Sequence, residues 1–567
     1  MSSSGDVYVV ENSLNDNLSD ASTVYFNDKN YVFITDSTSN SGSFSSGQIQ
    51  FDLATLNSQS QWINLPEAVI EFPVKVLCTV DTAGTGSQTT INTAAISSTI
   101  IKNGWHQFID SAQCIIDGNT IQSSQPYENV AATFRILSSW SQDTLKKWGP
   151  SCGVALDDCS NDIYNSYSAT VGLNNATFGT IATSTRGLDM VNNQSVLNNK
   201  GTNARNLMYN NDINPASASI QTQILGAASI KTAGRSNISS ATSGSNTANA
   251  TLYSAFFMAT VRLKDIFDIN DFPMVKNLRG FIYLSFNSSQ VKLTGTTGAT
   301  TISAVSITPL TGRTTPILLN TGTGGIVVGN YATSAPVLNI TASVDATTTG
   351  ALTNSAPVLT NARLLMPAYQ ANPKTDEALT RSDKFFTTYE KIVNPITCAA
   401  GSTVNYTITV GVPNPRKLVL LPMYQNLGGT SNLTNPEISA FDTVPATSSP
   451  FSVLNNLQVY LANKPMYQYP IQYTYEQWIS ENAQLGLNGA LVNEDTSGLL
   501  SQQLFEQNHS FYAIDLSRRS VAEDGASKSI QVSFTNASST YGMKVIAIVW
   551  YEKQWMINTA QCKISQI

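Results

Sequence analysis

FIDSAQCIIDGNTIQ (108–122) reads as a strand, an Asp-Gly-Asn turn and a second strand. An Asp-Gly pair between apolar runs is a strong local hairpin signal. The chain then passes through Pro126 into PYENVAATFRILSSWSQDTLKKWGP (126–150), where Val130, Phe134, Leu137 and Ser141 share one helical face and Leu145 and Trp148 continue it. Glu128 lies in the first turn and Lys146 and Lys147 in the last, as the helix dipole favours, and Gly149-Pro150 is expected to stop the helix. The same phrase recurs downstream. LQVYLANKPMYQ (457–468) leads through Pro470 into TYEQWISENAQLG (474–486), with Thr474 and Gln477 spaced as a capping box and Gly486 as terminator.

A second pair of phrases strengthens the repeat. FFMATVRL (256–263) followed by GFIYLSFNSS (280–289) matches SFYAIDL (510–516) followed by IQVSFTNASS (530–539). The first pair is offset by roughly 345 residues and the second by roughly 250. The difference, about 95 residues, equals the stretch dense in Asn, Ser, Thr, Ala and Gly that follows the first helix. Two related β units are inferred, the first enlarged by an insertion at about 151–250.

Further strand signals fill in the units. They are IQFDL (49–53) and AVIEFPVKVLCTV (68–80), then KLVLLPMY (417–424) and MKVIAIVWYEKQWMI (543–557). Pro66 and Pro73 are expected at strand edges. The division expected from these patterns is an extended N-terminal arm at 1–48, a first unit at 49–290, a connector and loop at 291–357, and a second unit at 358–567.

Composition narrows the function. Of 567 residues, 41% are hydrophobic, enough for sizeable cores, yet only 12% are charged, against about 25% in an average soluble protein. Net charge is −7, and the first 74 residues hold one basic residue, Lys29. A chain that wraps a genome by counterion release usually carries a basic arm, so sequence-specific nucleic-acid binding is not expected. The N-terminus has neither the basic nor the apolar segment of a signal peptide, and no run of about 18 apolar residues suggests a transmembrane helix. The six cysteines (Cys78, Cys114, Cys152, Cys159, Cys398 and Cys562) form no CxxC pair. They read as reduced core thiols; no metal site and no cofactor is expected.

Catalytic patterns are weak. The two histidines, His106 and His509, each precede a strand, and no GxSxG elbow exists to pair with them. The paired carboxylates Asp157-Asp158, Glu494-Asp495 and Glu523-Asp524 are sequence neighbours, which seldom converge across a cleft as glycoside hydrolysis requires. The glycine-rich run from Gly322 to Gly329 lacks nucleotide-binding spacing. Sequons at Asn237, Asn339 and Asn536 are unremarkable in so Asn- and Ser/Thr-rich a chain. Tyr467, Tyr469, Tyr473, Tyr475 and Trp478 form an aromatic stripe without accompanying Lys or Arg, which favours core or interface packing over base stacking.

Three segments carry a resemblance. LKDIFDINDFPMVKNLRGFIYLSFN (263–287) resembles the end of the first jelly roll in major capsid proteins of polinton-like viruses and virophages. NLQVYLANKPMYQYPIQYTYEQWISENAQLGLNGA (456–490) resembles the strand, helix and Leu-Asn-Gly segment of their second roll, and YGMKVIAIVWYEKQWMINTAQCKI (541–564) their closing strand. The resemblance implies an all-β double jelly roll, two tandem eight-stranded rolls with short helices and long inserted loops, similar in architecture to adenovirus hexon. It implies a non-enzymatic major capsid protein. Three copies would form a pseudo-hexameric capsomer of an icosahedral DNA virus shell, assembled in the host cytoplasm or nucleus. Its partners would be itself, neighbouring capsomers, and penton and minor or cement proteins. A carbohydrate-binding or adhesin-like β-sandwich protein and a β-sandwich glycoside hydrolase are the alternatives.

Overall fold

The computed structural model describes residues 25–38, 47–54, 61–82, 99–157, 236–240, 251–295, 302–319, 337–352, 355–381, 383–425, 452–483, 499–507, 509–517 and 527–567, with a few isolated positions between them. The expected insertion at 151–250 lies mostly outside the described residues, as does the N-terminal arm up to residue 24.

In the first unit, eight strands are β1 (Phe26–Thr35), β2 (Gln48–Asp52), β3 (Val69–Thr82), β4 (Ile109–Ile116), β5 (Asn119–Gln122), β6 (Thr251–Arg262), β7 (Gly280–Phe286) and, after an intervening set, β11 (Arg363–Ala371). One sheet orders them β1-β11-β3-β6 and the other β2-β7-β4-β5, all antiparallel. Three strands of the intervening set are β8 (Ser288–Gly295), β9 (Ile302–Thr311) and β10 (Val337–Val344). They extend the first sheet in the order β10-β8-β9, with β10 pairing β3.

The second unit repeats the plan. Its strands are β12 (Lys384–Cys398), β13 (Thr403–Val412), β14 (Pro415–Tyr424), β15 (Leu454–Leu461), β16 (Lys464–Pro465), β17 (Tyr512–Asp515), β18 (Lys528–Asn536) and β19 (Met543–Asn558). The sheets run β12-β19-β14-β17 and β13-β18-β15-β16. A last strand, β20 (Lys563–Gln566), pairs β19. In both units the first, eighth, third and sixth strands form one sheet. The second, seventh, fourth and fifth form the other. Two such sheets packed face to face are a jelly roll, so the chain is a double jelly roll. The repeated sequence phrases fall on matching strands: fourth-fifth hairpins, then sixth and seventh strands.

Period-two burial drives the packing. In β18, Ile530, Val532 and Phe534 are fully buried and alternate with half-buried residues. In β3, Ile70, Phe72, Val74, Val76, Cys78 and Val80 all face the core. Pro73 lies inside β3 and not at its edge. On one side of β3, residues Val69–Glu71 pair with β11 and Val74 onward with β10. Pro73 falls in the gap between these partners, where no N–H is needed. Pro66 sits in a short 3₁₀ turn, Leu65–Glu67.

Two boundaries differ from the sequence reading. β1, placed in the arm, and β11, placed in the second unit, pair with each other along their length, and β11 also pairs β3. Residues 291–357, read as a connector, supply β9, β10 and most of β8 to that same sheet. These pairings join residues hundreds of positions apart, which no local pattern encodes. The helix read over 126–150 is two helices, α1 (Glu128–Ser139) and α2 (Gln142–Cys152). Trp140 is extended, and the Ser141 hydroxyl accepts from Thr144 N at 3.1 Å to cap α2. Pro150 is tolerated in the last turn, and Gly153, at φ +67°, ends the helix in place of Gly149. The two units are joined by α3 (Pro373–Thr380), and α4 (Tyr475–Ala483) is the second-unit counterpart of α1.

Candidate functional site

α1 is buried from Glu128 to Leu137 on every side. Tyr127, Val130, Ala131, Phe134 and Leu137 belong to the core of the second unit, although the first unit supplies them. The loan is returned: Phe386, Trp555, Ile557, Cys562 and Ile564 complete the core of the first unit. The centre of this seam is ionic. Arg135 donates to both oxygens of Asp268 (2.8 and 2.6 Å), to Glu128 (3.0 Å) and to the carbonyls of Asp265 and Ile266 (3.1 and 2.7 Å). From the second unit, Lys391 pairs with Glu128, and Trp550 Nε1 donates to Asp268 at 3.0 Å. Burial pulls the Lys391 ammonium down to about 8, against the attraction of Glu128. Beside this network, Arg262 pairs with Asp265 and lies 4.5 Å over the Trp140 ring.

Both histidines are structural members of the fold. His106 Nε2 lies 2.9 Å from Thr133 Oγ1 and 3.0 Å from Gln107 Nε2. The Gln107 amide, Asn129, Thr314 and Asn287 extend the buried network. Burial pushes the His106 imidazole down to about 4, against the pull of Asp265. The Thr133 hydroxyl donates to Asn129 O on its own helix. His509 Nε2 meets the Asp157 carbonyl at 3.1 Å, and the Asp157 carboxylate pairs with Arg205 at 2.6 Å.

Asp158, Cys159, Glu494, Asp495, Glu523, Asp524 and the run Gly322–Gly329 lie outside the described residues. Among the described residues no group of three His, Cys, Asp or Glu side chains is arranged to hold a metal. Cys78, Cys114, Cys152, Cys398 and Cys562 are buried and form no disulfide among the described residues. Burial pushes Cys78 and Cys114 up to about 12. Asn536 is buried with its amide donated to Ala399 O and Tyr541 O, and Asn237 donates to Ala356 O. The aromatic stripe is divided. Tyr467 and Trp478 are buried, and Tyr473 stacks on Tyr512 at 4.8 Å. Tyr475 donates to Leu500 O, and only Tyr469 is well exposed, at 73%.

Among the described residues, several large apolar side chains face outward. Among the described residues β1 is a sheet edge that pairs with β11, and Tyr31 and Phe33 stand on one face of it, 55% and 56% exposed. Phe385, at the start of the edge strand β12, is 72% exposed. Exposed edges with aromatic side chains are ready templates for another chain. The sequence reads 1–48 as an extended arm that pairs only locally or with a neighbour, and its β-prone piece YVFI (31–34) lies on this edge.

No family model and no curated protein matches the chain. Among solved structures it is similar to a chain of the Sputnik virophage particle determined by cryo-EM, with 10% identity over 98% of this chain and 91% of that one and a TM-score of 0.48. It is similar to the mavirus major capsid protein, with 11% identity over 98% and 92% and a TM-score of 0.44. The Faustovirus major capsid protein gives 10% identity over 95% and 92%, with a TM-score of 0.39.

Proposed function

We propose that this chain is a major capsid protein, three copies of which form a pseudo-hexameric capsomer of an icosahedral virus shell. The observation that carries the reading is the duplication itself: one strand order built twice in one chain and welded by an exchanged core. Three such chains offer six similar blocks around an axis, which suits a lattice of six-fold neighbours. A fused pair must keep a fixed angle to serve that lattice, and the buried seam supplies that rigidity. On this reading the rolls span 26–371 and 384–566, and the role is structural, in the virion. Neighbouring capsomers, penton and cement proteins are its partners. The scarcity of basic residues before Lys75 argues that the genome is confined and not gripped.

Light scattering on purified protein tests this directly, with negative-stain images as the second measurement. Three times the chain mass and three-fold particles are expected. A stable monomer at micromolar concentration refutes the proposal.

A further inference from the structure

The second unit holds a lysine, an aspartate and a glutamate in one buried cluster. Lys417 on β14 and Asp515 on β17 are direct cross-strand partners. Such partners leave the sheet on the same face, about 4.5–5.5 Å apart at Cβ. Both are buried, at 1% and 3% exposure. Glu481 on α4 is equally buried. Its Oε2 accepts from Asp515 N at 2.8 Å and its Oε1 from the Tyr467 hydroxyl at 3.1 Å, so its carboxyl is held beside the aspartate. Asp515 Oδ1 is itself fixed, accepting from Ser517 N and Oγ at 2.7 and 2.6 Å. The cover is aromatic. Lys417 Nζ lies 5.1 Å from the centroid of Phe134, which packs on Trp478, Phe511 and Trp550.

We propose that Lys417 and Asp515 condense to an intramolecular isopeptide bond, with Glu481 carrying the proton. The reaction runs from the neutral amine and acid, one proton passing from the Lys417 ammonium to the Asp515 carboxylate. Burial draws the Lys417 ammonium down to about 7, against the attraction of Asp515 and Glu481, so free amine is present at neutral pH. The amine nitrogen then attacks Asp515 Cγ and a C–N bond forms. Glu481 takes the proton from that nitrogen and returns it to the departing hydroxyl. The C–O bond breaks and one water leaves. One amine and one acid become one amide and one water, Glu481 ends as it began, and nothing is oxidised or reduced. Desolvation activates the lysine as a nucleophile, and fixed proximity replaces a bimolecular encounter. The bond joins the third and sixth strands of the second roll across everything between them.

The test is the intact mass of the full-length chain after incubation at neutral pH, followed by tryptic mapping. The expected result is a mass one water below that of the sequence, with the Lys417 and Asp515 peptides recovered as one branched species. Lys417→Arg, Asp515→Ala and Glu481→Gln should each restore the full mass. A wild-type chain at its full sequence mass, with Lys417 and Asp515 in separate peptides, overturns the proposal. So does a lost water that maps to other residues. Because the decisive reading is on the wild-type chain, a variant that fails to fold does not blur it.

Discussion

Arg135 shows how far burial changes the worth of a charge. Its guanidinium is 1% exposed and pairs with two carboxylates, Asp268 and Glu128, that are as deeply buried, with Lys391 supplying the second positive charge. Removing one partner of such a set leaves buried charge uncompensated, which costs about 3–5 kcal/mol. Arg135→Met should lower the unfolding free energy by that amount in urea titrations. Lys146, whose side chain is 76% exposed beside an 82% exposed Asp143, is the control: Lys146→Met should cost under about 1 kcal/mol. His106 makes a pH prediction. The folded imidazole takes a proton only near pH 4, whereas the unfolded one does so near 6.5. Between those values the unfolded state binds more protons, so stability is lost on acidification. Going from pH 7 to pH 5 should cost about 2 kcal/mol through this residue. His106→Gln should flatten the slope of unfolding free energy against pH in that window; an unchanged slope would assign it to other groups.

At the scale of elements, the two fourth-fifth hairpins are the clearest repeat. In the first, Asp117 and Gly118 take φ +50° and +76°, and in the second Ala462 and Asn463 take φ +48° and +64°. Two positive-φ residues are what a two-residue hairpin of type I′ needs. Asp-Gly meets the need, but Ala462 carries a Cβ into the left-handed region. Ala462→Asn should therefore raise stability by about 0.5–1 kcal/mol, read as a higher Tm. Gly280 plays a different part. At φ +149°, an added Cβ would lie 2.0 Å from Ile115 O, so β7 can approach β4 only with glycine there.

For the whole molecule, the long strands β12 and β19 and the helix α1 cross from one unit's core to the other's. The chain end reinforces the crossing. Asn119 Nδ2 donates to Ile564 O at 2.9 Å, and Lys276 N donates to Thr559 O at 2.8 Å. The two rolls are thus one mechanical body, and the exposed edges are where further chains can attach. If β1 forms a subunit contact, the double variant Tyr31→Ser with Phe33→Ser should lower the trimer fraction in light scattering and leave the melting of the monomer nearly unchanged. Both rings are more than half exposed, so little core packing is lost.

The strand grammar was legible in the sequence because it is local. Alternation marks strands such as β18, Asp117-Gly118 marks a hairpin, and the two phrases recur in order, so both units could be recognised before any contact was known. The break between α1 and α2 also has a local cause, the Ser141 cap, although the apolar periodicity running through it concealed the break. Tertiary structure alone decided the rest. β1 meets β11 across more than three hundred residues of chain. Pro73 is harmless because two different strands share that edge of β3. Glu128, Arg135, Asp268 and Lys391 look like surface charges in sequence, and only the packing of one roll on the other turns them into a buried, mutually neutralising core.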